Sequence, residues 1–67
     1  MPSGRPKVPQ FRVFLLNQAG RIEIHQEIEA ETDEAAIAFA RDLFKRHPVC
    51  AGFEIWQRTR VVHKEQR

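Results

Sequence analysis

The chain is short of cysteine and of long apolar stretches, and each of these two shortages argues against a class of protein. Its 67 residues include one cysteine, three glycines and no tyrosine. The single cysteine, Cys50, cannot form an internal disulfide, which argues against a disulfide-stabilised secreted scaffold and favours a reducing compartment. No apolar run approaches the ~20 residues that span a bilayer, and residues 1–9 lack the apolar segment of a signal peptide. These absences predict a cytoplasmic protein that has no membrane partner.

Residues that carry catalysis or bind metals are few and scattered. The three histidines, His25, His47 and His63, are far apart, and none has a second ligand at metal-binding spacing. No glycine-rich phosphate loop is present, and no nucleophile–base or carboxylate pair can be assembled. Cys50 fits a small buried thiol better than a nucleophile. The sequence therefore predicts a protein that is not an enzyme and that has no metal site and no cofactor.

The length and charge of the chain limit the size of its core and the kinds of partner that it can have. A chain of 67 residues has room for one domain with one modest core. Such cores seldom supply more than about 3–5 kcal/mol of stability, which favours a homodimer or a subunit of a larger assembly. The formal net charge of +2 is too mild to imply a nucleic-acid partner by itself.

The clearest element is an amphipathic helix between Thr32 and Pro48. Thr32 is a good N-cap, because its hydroxyl can accept a hydrogen bond from a free backbone N–H of the first turn. Residues 33–34 are acidic and residues 45–47 are basic, as the helix dipole favours at each end, and Pro48 terminates the helix. At the helical period, one face collects small and apolar side chains: Ala36, Ile37, Ala40, Leu43 and Phe44, with Phe39 at the margin.

Two strands joined by a turn are predicted before the helix. In residues 11–16, the odd-numbered and the even-numbered side chains point to opposite faces of the strand, and both sets are largely apolar. This is typical of a strand inside a sheet. Residues 17–20 form a turn that ends in a glycine. Residues 21–30 alternate, with charged positions toward water, which is typical of an edge strand. The inward set of this second strand is Ile22, Ile24, Gln26, Ile28 and Ala30, with Gln26 the polar exception.

Two shorter strands are predicted after the helix. Residues 53–56 are the third strand, with Phe53 and Ile55 on one side and Glu54 and Trp56 on the other. Residues 57–59 make a turn that lacks glycine, and residues 60–64 form a short fourth strand. Residues 65–67 are expected to fray. The first nine residues hold three of the four prolines and two basic residues, which predicts an extended arm.

These elements predict an α+β fold with one domain over residues 10–64. A single helix packs on one face of a small antiparallel sheet, in the order ββαββ, with strand order 2-1-3-4. This order places the doubly apolar first strand inside and lets the chain cross over right-handedly from the second strand to the third. The helix then covers the side that carries Val13, Ile24 and Ile55.

The sequence resembles a family of short, uncharacterised bacterial proteins of the kind common in alphaproteobacteria. Five segments carry the resemblance, residues 11–16, 20–22, 33–36, 47–48 and 54–57. It covers roughly residues 10–63 and implies the ββαββ fold, but it implies no activity and no catalytic residue. Similar sequences turn the last hairpin through a glycine, where this chain has Arg58 and Thr59.

The side of the sheet that the helix does not cover carries the functional hypothesis. Phe14 and Leu16 of the first strand should lie near Trp56 of the third, with Arg12 and Glu54 flanking them as a cross-strand pair. Contiguous exposed apolar patches mark contact sites, and Trp, Phe and Arg are common interface anchors. We therefore expect a protein partner or a homodimer at this surface. In the alternative reading, the long side chains of Arg12, Arg58 and Arg60 fold over the patch and shield it.

A small nucleic-acid-binding protein is the other functional reading. Basic residues near both ends could contact phosphates: Arg5, Lys7, Arg58, Arg60, Lys64 and Arg67. Phe14 and Trp56 could then stack bases. Residues 4–7 also resemble the centre of an AT-hook, a short element of the DNA minor groove, with Ser3 in place of its usual second arginine.

Overall fold

The computed structural model describes residues 8–67, and within them the predicted α+β fold is confirmed. The elements are β1 (Gln10–Leu16), β2 (Ile22–Glu29), α1 (Asp33–Lys45), β3 (Gly52–Gln57) and β4 (Arg60–Gln66). The strands form one antiparallel sheet in the order β2-β1-β3-β4. The doubly apolar β1 is central and the charged β2 is an edge, as the alternation of the sequence predicts.

Asn17 organises the turn between β1 and β2. Its side-chain Oδ1 accepts hydrogen bonds from the backbone N–H groups of Ala19 and Arg21, at 2.9 and 3.0 Å. Gly20 follows with φ of 81°, a left-handed conformation that glycine adopts without steric cost. The turn thus depends on one asparagine side chain and one glycine backbone.

A β-bulge at the start of β2 overturns one prediction. Leu15 pairs with Ile24, but the next residue, Leu16, pairs with Ile22, so that Glu23 is the extra residue. Directly paired residues share a face of the sheet, and the bulge therefore turns Ile22 to the side of Leu16. The prediction that Ile22 faces the core is wrong: its side chain is 59% exposed on the opposite side.

The helix begins where its cap residue predicts. Thr32 is extended, with φ of −139°, and its Oγ1 accepts a hydrogen bond from the backbone N–H of Ala35 at 3.0 Å. This bond satisfies one of the free donors of the first turn. The last helical residue is Lys45, and the backbone N–H of Arg46 bonds back to the carbonyl of Leu43 at 3.1 Å.

The core lies between α1 and the two central strands. From the helix it takes Ala36, Ala40 and Phe44. From the sheet and its connections it takes Phe11, Val13, Leu15, Ile28, Cys50, Phe53 and Ile55. Ile24 packs at its edge, so the helix covers the predicted side of the sheet. Phe39, predicted at the margin of the helix, is 41% exposed.

The last strand runs further than the sequence predicts. β4 continues to Gln66, which pairs with Gly52. A Cβ at position 52 would stand 2.7 Å from the backbone oxygen of Glu65, so this close approach of the strands requires glycine. Because residues 65 and 66 are paired in the sheet, the prediction that residues 65–67 fray is wrong.

Arg67 ties the end of β4 to the end of the helix. Its backbone N–H donates to the carbonyl of Ala51, and its Nε donates to the carbonyl of Cys50, both at 2.9 Å. Its guanidinium carbon lies 4.1 Å from the ring centroid of Phe44, and one guanidinium N–H donates to the Phe44 carbonyl at 3.2 Å. The Phe44 carbonyl, in the last turn of the helix, thereby gains a cationic partner in addition to the backbone N–H of His47.

A two-residue turn, Arg58 and Thr59, joins β3 to β4. Arg58 has φ of 57°, the left-handed region that favours glycine. The backbone therefore makes the turn that glycine would make, with an arginine in the strained position.

Candidate interaction surface

The open face is the side of the sheet away from α1, and it gathers the five residues predicted for an interface. Arg12 pairs with Trp56, Phe14 pairs with Glu54, and Leu16 pairs with Gly52. Their backbone neighbours Val13, Leu15, Phe53 and Ile55 point to the helix side and are buried in the core. Phe14, Leu16 and Trp56 are half-buried and lie outside the core cluster. The helix therefore does not cover them.

A shallow depression of about 320 Å³ marks the open face. It is lined by Arg12, Phe14, Ile22, Glu54, Trp56 and Arg58. Phe14, Ile22 and Trp56 supply apolar surface, and the two arginines and the carboxylate supply charge. The site thus combines an apolar contact area with charged groups that can fix the orientation of whatever binds there.

The predicted cross-strand pair between Arg12 and Glu54 does not form. The two residues are not register partners. Arg12 instead lies across from Glu27 on β2, with Nε 3.6 Å from Oε2. Glu54 accepts a hydrogen bond from the indole N–H of Trp56 at 3.0 Å. The polar atom of Trp56 is therefore satisfied within the chain, and its ring presents an apolar surface.

His25 extends the aromatic part of the open face toward the β2 edge. Its imidazole ring stacks on Phe14, with centroids 5.0 Å apart and planes 18° from parallel. The pairing of Phe14 with His25 places both on one side of the sheet. Alternation predicts His25 among the water-facing residues of an edge strand, but it does not predict the stacking on Phe14.

Opposite charges lie on opposite sides of the open face. The β2 side carries Glu27 and, by alternation along the strand, Glu29, which pairs with Gln10. The other side carries Lys64 on β4, opposite Glu54, and Arg58 in the β3–β4 turn.

The basic residues of the nucleic-acid reading do not share one surface. Arg58 and Lys64 lie on the open face. Arg60 lies on the helix side, where it is ion-paired with Asp33 at 3.3 Å and hydrogen-bonded to Gln57. Arg5, Lys7 and the resemblance to an AT-hook lie outside the described residues. Arg67 is engaged at the end of the helix.

A polar cluster on the helix side is not predicted by the sequence pattern. His63 Nε2 lies 3.0 Å from Oε1 of Glu65, and the same oxygen accepts from Nε of Arg41 at 3.1 Å. The hydrogen bond from His63 is the main cause that holds the pKa of Glu65 below its ordinary value; partial burial opposes it, and Arg41 reinforces it. The pairing of β4 with β3 brings these residues together, since Phe53 pairs with Glu65 and Ile55 with His63.

Within residues 8–67, no group of three or more His, Cys, Asp or Glu side chains is arranged to hold a metal ion. No helix in the same range is both long enough and apolar enough to cross a bilayer. Cys50 is 1% exposed, in agreement with the prediction of a buried thiol.

Comparisons of the chain with models of protein families, with curated proteins and with solved structures find no match. The resemblance to the bacterial family therefore stays a prediction, and the surface itself carries the functional argument.

Proposed function

We propose that this chain is a small, non-catalytic interaction protein whose open face binds another protein. The observation that carries the proposal is the apolar cluster of Phe14, Leu16, Ile22 and Trp56, which the helix leaves uncovered. Uncovered apolar clusters with charged rims are common at protein contact sites.

The composition of the open face supports a protein partner. Trp56 and Phe14 offer large, rigid contact areas, and Arg12 and Arg58 stand beside them. Trp and Arg are among the residues that dominate binding energy at interfaces. Because the indole N–H of Trp56 is already bonded to Glu54, covering this ring leaves no unpaired donor behind.

A photo-activatable side chain at position 22 tests the proposal in the cells of origin. Ile22 is 59% exposed on the open face. Val49 lies in the connection between α1 and β3, is not among the residues that line the depression, and is 74% exposed, so position 49 is a matched control. We expect a discrete cross-linked protein adduct from position 22 and little from position 49. The absence of any adduct from position 22, or equal labelling from both positions, would contradict the proposal.

Two substitutions test the energetic role of the cluster. Trp56→Ala removes the largest apolar contact, and Phe14→Glu places a charge at its centre. We expect both to abolish or strongly reduce the adduct from position 22 while the helical circular dichroism signal persists. Phe39→Ala on the helix is the control, because its ring is exposed elsewhere. Adduct yields that are unchanged by Trp56→Ala would remove Trp56 from the binding surface.

Nucleic-acid binding is a second candidate, and one observation favours it: Arg12 and Arg58 stand beside the rings of Phe14 and Trp56 at the same depression. Bases stack on aromatic side chains while cations contact phosphates. A titration of single-stranded DNA and RNA at low salt tests this reading. It predicts an affinity that falls steeply with salt and with Arg58→Ala; a flat titration would dismiss it.

A further inference from the structure

We propose that the occupant of the open face is a second copy of this chain, related to the first by a twofold axis that runs along the strands. The inference rests on the proposed function and names the partner for the same surface. Two features of the open face support it, the charge distribution and the relative positions of Arg12 and Trp56. The size of the face sets the expected strength of the dimer.

Only a few symmetric arrangements bring this face of two copies together. A twofold axis that relates them must lie in the plane between the two sheets, and the same patch is then used on both sides. Aligned sheets keep their strand directions within about 30° of each other, so the axis runs either along the strands or across them. An axis along the strands places β2 of one copy over β4 of the other, and β1 over β3. An axis across the strands places every strand over its own equivalent.

The distribution of charge favours the axis along the strands over the axis across them. Glu27 and Glu29 lie on the β2 side, and Lys64 and Arg58 lie on the other side. With the axis along the strands, the carboxylates on the β2 side of each copy lie over β4 and the β3–β4 turn of the other, which carry the cations. Glu29 then lies near the level of that turn, and Glu27 lies two residues along the strand from the level of Lys64. Such diagonal neighbours are within reach of long side chains, and the twofold axis makes each contact twice. With the axis across the strands, carboxylates face carboxylates and cations face cations, which is unfavourable at an interface.

The same axis brings the arginine of one copy to the tryptophan of the other. Arg12 and Trp56 are register partners within a chain, so they lie at the same level along the strands. When β1 of one copy lies over β3 of the other, Arg12 of each copy stands over the Trp56 ring of the other copy. A guanidinium over an indole is a favourable cation–π contact.

The size of the face predicts a dimer that dissociates readily. Four strands about 4.8 Å apart and seven residues long at about 3.4 Å each give a footprint of about 19 by 24 Å. The area of this footprint, about 460 Å², is smaller than the ~800 Å² per partner of a standard stable interface. We therefore expect a dimer that dissociates in roughly the micromolar range, which a dilution series can follow.

Charge reversal with mixing tests the arrangement in purified protein. The variants are Glu27→Lys and Lys64→Glu. Asp42 is exposed on the helix, so Asp42→Lys is the control for the change of charge in Glu27→Lys. Light scattering across a dilution series measures the dissociation constant of each variant alone and of an equal mixture. Circular dichroism verifies that each variant is folded.

We expect the native chain and Asp42→Lys to dimerise alike. Each of the other two variants should dimerise about tenfold or more weakly, because like charges then face each other. The equal mixture should regain dimers, since every reversed charge then faces its opposite on the other chain.

Three results would overturn the inference: a native chain that stays monomeric at all concentrations, a dimer that both reversals leave unchanged, or a dimer that Glu27→Lys strengthens. The proposed function fails separately. If the adduct from position 22 has the mass of a different protein, the surface binds a partner but not a second copy. If position 22 gives no adduct, the interaction function itself fails.

Discussion

At the scale of single residues, the turn at Arg58 and Thr59 shows a local preference that the rest of the structure overrides. A left-handed non-glycine residue costs on the order of 1 kcal/mol or more, and Arg58 adopts φ of 57°. The pairing of β3 with β4 on both sides holds the turn in place. Since Arg58 also lines the depression on the open face, its side chain offers a functional reason for accepting this cost.

Arg58→Gly should therefore separate stability from binding. We expect the free energy of unfolding to rise by about 1 kcal/mol in urea titrations, because glycine adopts the left-handed conformation without the steric cost. Dimerisation by the open face should weaken at the same time, as a cation is lost. Thr59→Gly is the control and should not raise the free energy of unfolding. A destabilised Arg58→Gly variant would show that strain at this turn is negligible.

Glu65 gives a prediction on pH. Its pKa is lowered in the folded chain, chiefly by the hydrogen bond from His63. A lowered carboxyl pKa contributes stability that is present above the unfolded value, about 4.3 for glutamate, and lost as the pH falls through the folded value. The stability advantage of the native chain over Glu65→Gln should thus be present at neutral pH and shrink in the acid range. Urea titrations at several pH values measure it, and a difference that is constant with pH would contradict the assignment.

Residue-level details were also the part of the site that sequence could not supply in full. The alternation of Ile22, Glu23 and Ile24 looks regular, and nothing in a period of two reveals that Glu23 is the extra residue of a bulge. Alternation together with the predicted strand order places Phe14 and Trp56 on one face. The partner of Arg12 depends on strand register, which alternation fixes only to within two residues. The sequence therefore predicts Glu54 as this partner, whereas the structure has Glu27.

At the scale of elements, the helix was the most predictable part, because its cap, its charged ends and its period all agree. Thr32 caps it and its small residues pack on the sheet, both as the sequence indicates. The end of β4 was the least predictable element. The close approach of Gly52 to β4 and the bonds of Arg67 to the end of the helix are long-range contacts, which a local pattern of charged residues does not reveal.

The helix surface gives a prediction on packing. Ala40 is fully buried, whereas Ala38 is exposed on the outer side. We expect Ala40→Leu to lower the free energy of unfolding by about 1–3 kcal/mol, because the added atoms must force α1 away from the sheet. Ala38→Leu should change it by less than about 0.5 kcal/mol. Denaturant titrations compare the two, and equal effects would mean that the helix does not pack closely through Ala40.

At the scale of the whole molecule, the layered fold creates the proposed interaction surface. One helix can cover only one side of a four-stranded sheet, and β1 carries apolar residues on both sides. The helix side becomes the core, and the open face keeps Phe14, Leu16 and Trp56 at the surface. Small cores supply limited stability, so a partner that covers this face would also stabilise the fold through linkage.

The most direct test of this account is radical oxidation of Trp56 in intact cells, read by mass spectrometry. Trp56 is the one tryptophan in the chain, and Phe39, 41% exposed on the helix, is an internal reference. We predict that the ratio of Trp56 to Phe39 oxidation is lower in cells than in dilute purified protein, because a bound protein covers the open face. An equal ratio in both settings would contradict the claim that this side of the sheet is a binding surface.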